Sequence, residues 1–148
     1  MTIHTQSCSP RVQQDISFPI CFQEGLPGFS TFKQGRLQFD ASSYPFGVLS
    51  ETAHTPVEFL ITQPAFFFKD YTFTLADHDV DSLQINHQDD LLVFNVVTVH
   101  PDDPMSITVN LLAPIVVNQK NGYAKQVIIE DDVAYSTHTP LRLNPTAA

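Results

Sequence analysis

The 148-residue sequence predicts an all-β, mainly antiparallel fold: a small barrel-like single domain with at most one or two short helical turns. Three observations carry this. Large apolar residues alternate with polar or small ones in several short runs, a period of two that suits strands and would scatter the same side chains around a helix. Gly, Pro, Asn and Ser separate those runs. The two richest apolar stretches, 91–99 and 107–117, alternate less, as expected of strands covered on both faces or curling through a small barrel.

The elements follow in order. A polar leader occupies residues 1–14 and is expected to be flexible, the folded domain spans 15–143, and 144–148 form a flexible tail. Ile16, Phe18, Ile20 and Phe22 alternate with Ser17, Pro19, Cys21 and Gln23. Pro19 lacks the amide donor a central strand needs, so this run is expected at a sheet edge. Gly25 and Gly28 bracket Leu26 and Pro27, and a Pro followed by Gly supplies the torsions of a type II turn rather than a phosphate cradle. Leu37 and Phe39, then Val57, Phe59 and Ile61, then Tyr71, Phe73 and Leu75 continue the alternation as an antiparallel meander. One or two helical turns fit around 79–85, with Val80, Leu83 and Gln84 toward the sheet and acids at the start complementing the helix dipole. The stretches 91–99 and 107–117 read as strands covered on both faces, the second bent by Pro114. Asn121 and Gly122 lie before 127–129 and favour a tight hairpin. Asn110 and Asn118 are expected to be buried amides that tie off backbone groups.

Charge narrows the function. Sixteen acids oppose seven bases, a formal charge of -9, which is the wrong sign for gripping a phosphate backbone. All of that excess lies in residues 51–103, where ten acids face only Lys69; the rest of the chain is neutral. A basic partner could read such a surface, although acids also collect in solvated loops. His54, His78, His87 and His100 share the window, so its charge should weaken below about pH 6.5. Cys8 and Cys21 make neither a disulfide framework nor a CxxC pair, and the leader has no secretory core, which points to a reducing cytoplasm. No stretch reaches the roughly 18 apolar residues needed to cross a bilayer as a helix.

Catalytic and metal-binding patterns fail on their own geometry. Asp77, Asp79 and Asp81 open like a calcium loop, but the sixth position is Ser82 and the twelfth Gln88, where that loop needs Gly and Glu. The pairs His78 and Asp79, His87 and Asp89, and His100 and Asp102 supply two ligands each, fewer than a zinc site requires, and read as solvated loops. There is no GxSxG elbow, and Cys21 has no neighbouring cation to lower its thiol pKa. No enzyme, metal or cofactor is therefore expected. Phe66, Phe67 and Phe68 are consecutive and cannot all face one side of a strand, so an exposed aromatic contact competes with simple core filling.

FQEGLPGF at 22–29, PFGVL at 45–49, FFKDY at 67–71, TVNLLAPIVVN at 108–118 and KQVIIEDDVAYSTHTPL at 125–141 resemble the bacterial flagellar assembly factor family FliW. The likeness runs in order over roughly 16–143, with Gly25, Pro27, Gly28, Asn110, Pro114 and Asn118 as its structural motif residues. It implies a cytoplasmic, non-catalytic barrel that switches between two partners. Unexported flagellin holds the protein; once export begins, the free form binds the RNA-binding regulator CsrA and relieves its repression of flagellin mRNA. A protective role toward flagellin is also implied. An acidic surface suits the basic regulator, making Glu51, Asp70, Asp77, Asp79, Asp81, Asp102 and Asp103 the CsrA-facing candidates. Flagellin's disordered ends need an apolar surface, for which Phe67, Phe68 and Tyr71 are the candidates. Two places depart from the family pattern: Ser50, Glu51, Thr52, Ala53 and His54 follow PFGVL, and Lys69 stands where Pro is common. The alternatives are a small-molecule or sugar-binding barrel lined by the many Phe and a metal enzyme on the His and Asp loops.

Overall fold

A computed structural model describes residues 1–5, 15–52, 57–131 and 135–141, with the side chains of 104 and 105 left undescribed. Within these residues lie eleven strands and one α-helix. In chain order they are β1 (Thr2–His4), β2 (Ile16–Phe22), β3 (Gln34–Phe39), β4 (Phe46–Glu51), β5 (Glu58–Thr62), β6 (Thr72–Thr74), α1 (Asp77–Leu83), β7 (Leu91–His100), β8 (Asp103–Val109), β9 (Ile115–Asn118), β10 (Tyr123–Gln126) and β11 (Thr139–Pro140).

Strands β2 to β5 form an antiparallel meander, as expected for β2, β3 and β5, with the unexpected β4 standing between β3 and β5. β5 then pairs with β7, β7 with β9, β9 with β10, and β10 returns to β2. The ring of seven strands is closed, and its only parallel joint is β2 to β10, where Tyr123 lies opposite Cys21. β8 and β11 extend the sheet outward from β7.

Alternation fills the barrel. Ile20, Phe22, Leu37, Phe39, Leu49, Ile61, Leu92, Phe94, Ile115 and Val117 all point inward and are buried. Four phenylalanines, Phe22, Phe32, Phe39 and Phe94, occupy the interior without a Trp. Phe22 and Phe32 meet edge to face at 5.6 Å, a favourable aromatic geometry. β7 and β9 have a second apolar face. Leu91, Val93, Val97 and Val116 join a separate outer core with Ile3, Tyr71, Phe73, Leu75, Leu83, Val109, Val127 and Ile129. Burial on both faces is why these two strands lack a clean alternation.

Several expectations change. Residues 1–5 are not a loose leader: β1 pairs with β6, Ile3 is fully buried and the N-terminal amine donates to the Leu75 carbonyl at 2.8 Å. Residues 6–14, including Cys8, and the tail lie outside the described residues. Pairing with β1 also takes β6 out of the meander into a two-stranded sheet of its own. β2 is not an edge strand, because β3 and β10 flank it. Its pairing with β10 begins at Cys21, whose N–H donates to Gly122 O at 2.8 Å, so Pro19 stands just outside the stretch where a donor is needed. The 107–117 run is two strands, β8 and β9. Asn110 makes the break: its side chain accepts the Ala113 N–H at 2.9 Å, turning the chain from the β8 sheet into the barrel wall. The hairpin after β9 needs four linking residues rather than two, and its second strand is β10 rather than 127–129. Only Gly122 in it takes a positive φ, 79°. α1 starts two residues earlier than expected, and Gln84 does not face the sheet. It ends the helix in the left-handed region at φ 57° and is exposed.

Other expectations hold. Leu26 and Phe29 bond reciprocally, N–H to O at 2.8 and 3.1 Å, with Gly28 at φ 80°, as a Pro-Gly type II turn requires. Asn118 is buried; its Nδ2 donates to Leu83 O at 2.8 Å and Gln84 O at 3.1 Å. It thereby satisfies the free carbonyls at the end of α1.

Candidate functional site

The sequence points to two kinds of surface, one aromatic and one acidic. The Phe run starts in a single 3-10 turn, Pro64–Phe66, held by Phe67 N–H and Phe68 N–H both donating to Pro64 O at 3.1 and 2.8 Å. That turn fans the three rings apart. Phe66 is 42% exposed, while Phe67 and Phe68 are half-buried against the outer core. Tyr44 stands edge-on to Phe66 at 5.2 Å, Phe66 meets Phe67 at 5.1 Å, and Phe67 lies 6.0 Å from Phe46. The result is a contiguous aromatic surface of Tyr44, Phe46, Phe66 and Phe67. Next to it, Phe46, Val48 and Leu60 on the outer barrel wall line a shallow cavity of about 220 Å³ with Asp40 and Glu58 at its margin.

Tyr71 is not part of that surface. It is 3% exposed, its hydroxyl donates to Leu111 O at 2.5 Å and accepts from Asn95 Nδ2 at 3.4 Å. Burial pushes its phenol well above the usual tyrosine range. Tyr71 ties β6 to the 110–114 bend and acts as a core residue. Phe66, Tyr44 and Phe46 take its place on the surface. Only the turn, invisible as a pattern in the sequence, decides which Phe faces out.

The acids of the 51–103 window are distributed over separate elements. Glu51 ends β4 half-buried, Asp70 is exposed after the aromatic turn, Asp77 and Asp81 are exposed on α1, and Asp102 and Asp103 are exposed at the β7–β8 hairpin. Asp77 and Asp81 are four residues apart and so share one helix face. His54 lies outside the described residues.

Asp79 is turned the other way. It is buried, and its carboxylate accepts from Lys125 Nζ at 2.5 Å, with Glu24 3.5 Å from the same ammonium. The hydrogen bond to Asp79 holds Lys125 above the usual lysine range; partial burial opposes it, and the charges of Asp79 and Glu24 add to it. The pair therefore clamps α1 to β10. A raised lysine pKa stabilises the fold fully below the unfolded value of 10.5 and loses that contribution as pH climbs through the folded value. Lys125→Met is expected to cost about 1 to 3 kcal/mol, less than a fully buried pair would. In urea unfolding its deficit should hold from neutral pH to about pH 10 and narrow above it. A deficit unchanged at pH 11 would refute the clamp.

Among the described residues no three His, Cys, Asp or Glu side chains converge as metal ligands, and no helix is long and apolar enough to cross a membrane.

Comparison with known proteins decides the kinship. A family model described as FliW protein matches residues 4–141. The chain belongs to the FliW family. It is 37% identical over 131 residues to the flagellar assembly factor FliW of Bacillus licheniformis, covering 88% of this chain and 89% of that one. It is 36% identical to that of Bacillus subtilis over 82% and 84% of the two chains, and 31% identical to that of Leptospira biflexa over 89% and 86%. A crystal structure of the flagellar assembly factor FliW superposes with a TM-score of 0.75 at 31% identity, covering 82% of this chain and 84% of that one. FliW membership supports a role in flagellar assembly.

Proposed function

We propose that this chain is a non-enzymatic, cytoplasmic regulator of flagellar assembly that binds CsrA, relieves its repression of flagellin mRNA, and is kept from doing so while flagellin occupies it. The presence of two exposed surfaces of unlike chemistry carries this reading: carboxylates on α1 and a ring cluster around Phe66. Carboxylates steer a basic RNA-binding regulator into encounter and reject acidic competitors. Exposed rings give anchoring area to an ordering terminal segment of flagellin. A barrel ligand is disfavoured because Phe22, Phe32, Phe39 and Phe94 fill the interior.

Among the acids, Asp77, Asp81, Asp70, Asp102 and Asp103 support CsrA contact by exposure, with Glu51 at their margin. Asp79 contributes by holding α1 in place. For flagellin, Phe67 and Phe68 contribute partly exposed edges beside Phe66.

Calorimetric titration against CsrA and flagellin at two salt concentrations tests the switch. Asp77→Lys with Asp81→Lys should weaken CsrA binding roughly tenfold at low salt and much less at high salt, leaving flagellin binding intact. Phe66→Ala should weaken flagellin selectively. No binding to either partner by the unaltered protein would overturn the proposal.

A further inference from the structure

The chain beyond β10 keeps an extended course that only one neighbour covers. Val127 N–H donates to Pro114 O at 3.0 Å and Ile129 N–H to Leu112 O at 2.9 Å, so this side of 123–129 is zipped to the segment leading into β9. Alternation turns the Ile128 amide to the opposite edge. β2 covers that edge only as far as Ala124, because its chain turns away at Gly25. Among the described residues, neither the N–H nor the C=O of Ile128 has a hydrogen bond. Its side chain is 66% exposed, whereas Val127 and Ile129 are buried in the outer core.

A cleft of about 350 Å³ separates this edge from the corner between β6 and α1. A strand residue fills roughly 3.3 by 4.8 by 10 Å, so the cleft holds about two residues of an added strand, whose ends would run out over the surface. On its far wall the Thr74 N–H is already taken by the Asp131 carboxylate at 3.0 Å and the Leu75 N–H by Met1 O at 2.7 Å. The titratable groups facing the cleft are His78, Asp79, Lys125, Glu130 and Asp131. Lys125 is neutralised by Asp79 and Glu24, and Glu130 is exposed beside Ile128. The surplus charge is negative.

We infer that the 126–130 edge accepts an extended segment of a partner protein as an added strand, one in which Lys or Arg alternates with apolar residues. The unpaired backbone of Ile128 supplies the ladder, its side chain the apolar neighbour, and Glu130 the counter-charge. This holds whichever partners the aromatic and helical surfaces take. The competing role for acids on an open edge is to repel other strands.

The test is NMR of the isotopically labelled full chain titrated with the capped peptide Val-Lys-Val-Lys-Val and with its Val-Glu counterpart. The lysine peptide should shift the Gln126 to Glu130 amides and slow hydrogen exchange at Ile128 at least tenfold; the glutamate peptide should do neither. Ile128→Pro removes an amide with no internal partner and should abolish the response. Glu130→Lys, which touches no packed group, should exchange the peptide preference and serves if the proline variant does not fold. No response to the lysine peptide at millimolar concentration, equal response to both peptides, or the same shifts appearing on self-concentration without peptide would overturn the inference.

Discussion

Tyr71→Ala is expected to lower unfolding stability by about 3 to 5 kcal/mol and the melting temperature by about 8 to 16 °C for a domain of this size. The ring is buried in the outer core, 5.7 Å from Phe73 and 4.9 Å from Tyr135, so truncation opens a cavity among side chains that cannot all collapse inward. The hydroxyl adds a second loss, because Leu111 O and Asn95 Nδ2 are both bonded to it. Asn95 is fully buried and keeps its 2.8 Å bond to Asn110 O, so the loss there is confined to its second amide hydrogen, while its Oδ1 has no partner in either case. Tyr71→Phe separates the two losses and should cost about 1 to 3 kcal/mol. Thermal unfolding checks both variants. A Tyr71→Ala protein that melts within 2 °C of the unaltered protein, a shift of about 1 kcal/mol or less, would refute the core role of Tyr71.

Gly25→Ala should be nearly as damaging, and for a different reason. Its φ is 73°, and an added Cβ would lie 2.4 Å from the Ser30 carbonyl oxygen, a backbone atom that cannot swing aside. Left-handed strain of about 1 to 2 kcal/mol and forced displacement of about 1 to 3 kcal/mol combine. Gly28→Ala is the internal control. It has a comparable φ of 80° but nothing within 4 Å of the new methyl, so only the strain of about 1 to 2 kcal/mol should register. Urea unfolding of the pair decides whether close packing or backbone conformation fixes this corner; equal losses would remove the packing argument.

Period-two alternation made β2, β3 and β5 legible, whereas β4, with Gly47 and the adjacent Val48 and Leu49, shows no clean alternation. β7 announced its double burial by the loss of that alternation. What escaped was anything set by long-range pairing. β1 has only three residues and a single buried side chain, Ile3, and no local pattern marks so short a strand until β6 is beside it. The 107–117 run hid a break because apolar residues continue through it; Asn110 and Pro114 were visible, but the side-chain bond from Asn110 to the Ala113 amide was not. Surface composition was least legible. Asp77, Asp79 and Asp81 look equivalent in sequence, yet the helical turn sends Asp79 to Lys125 and the other two to solvent. Phe66, Phe67 and Phe68 are likewise told apart only by the turn that fans them. Val127, Ile128 and Ile129 give no hint of which one faces out.

The parallel joint between β2 and β10 also governs when the protein comes into being. Cys21 finds Tyr123 only after β10 has left the ribosome, so the seven-strand ring cannot close before then. Contacts this distant in sequence slow folding, typically into the millisecond to second range for such β proteins. Until then the β2 edge has no β10 on it and the interior phenylalanines are not sealed. A mature copy therefore lags its own message by the time needed to synthesise the chain through β10 plus a slow closure. That delay sets the earliest moment at which a new copy can act.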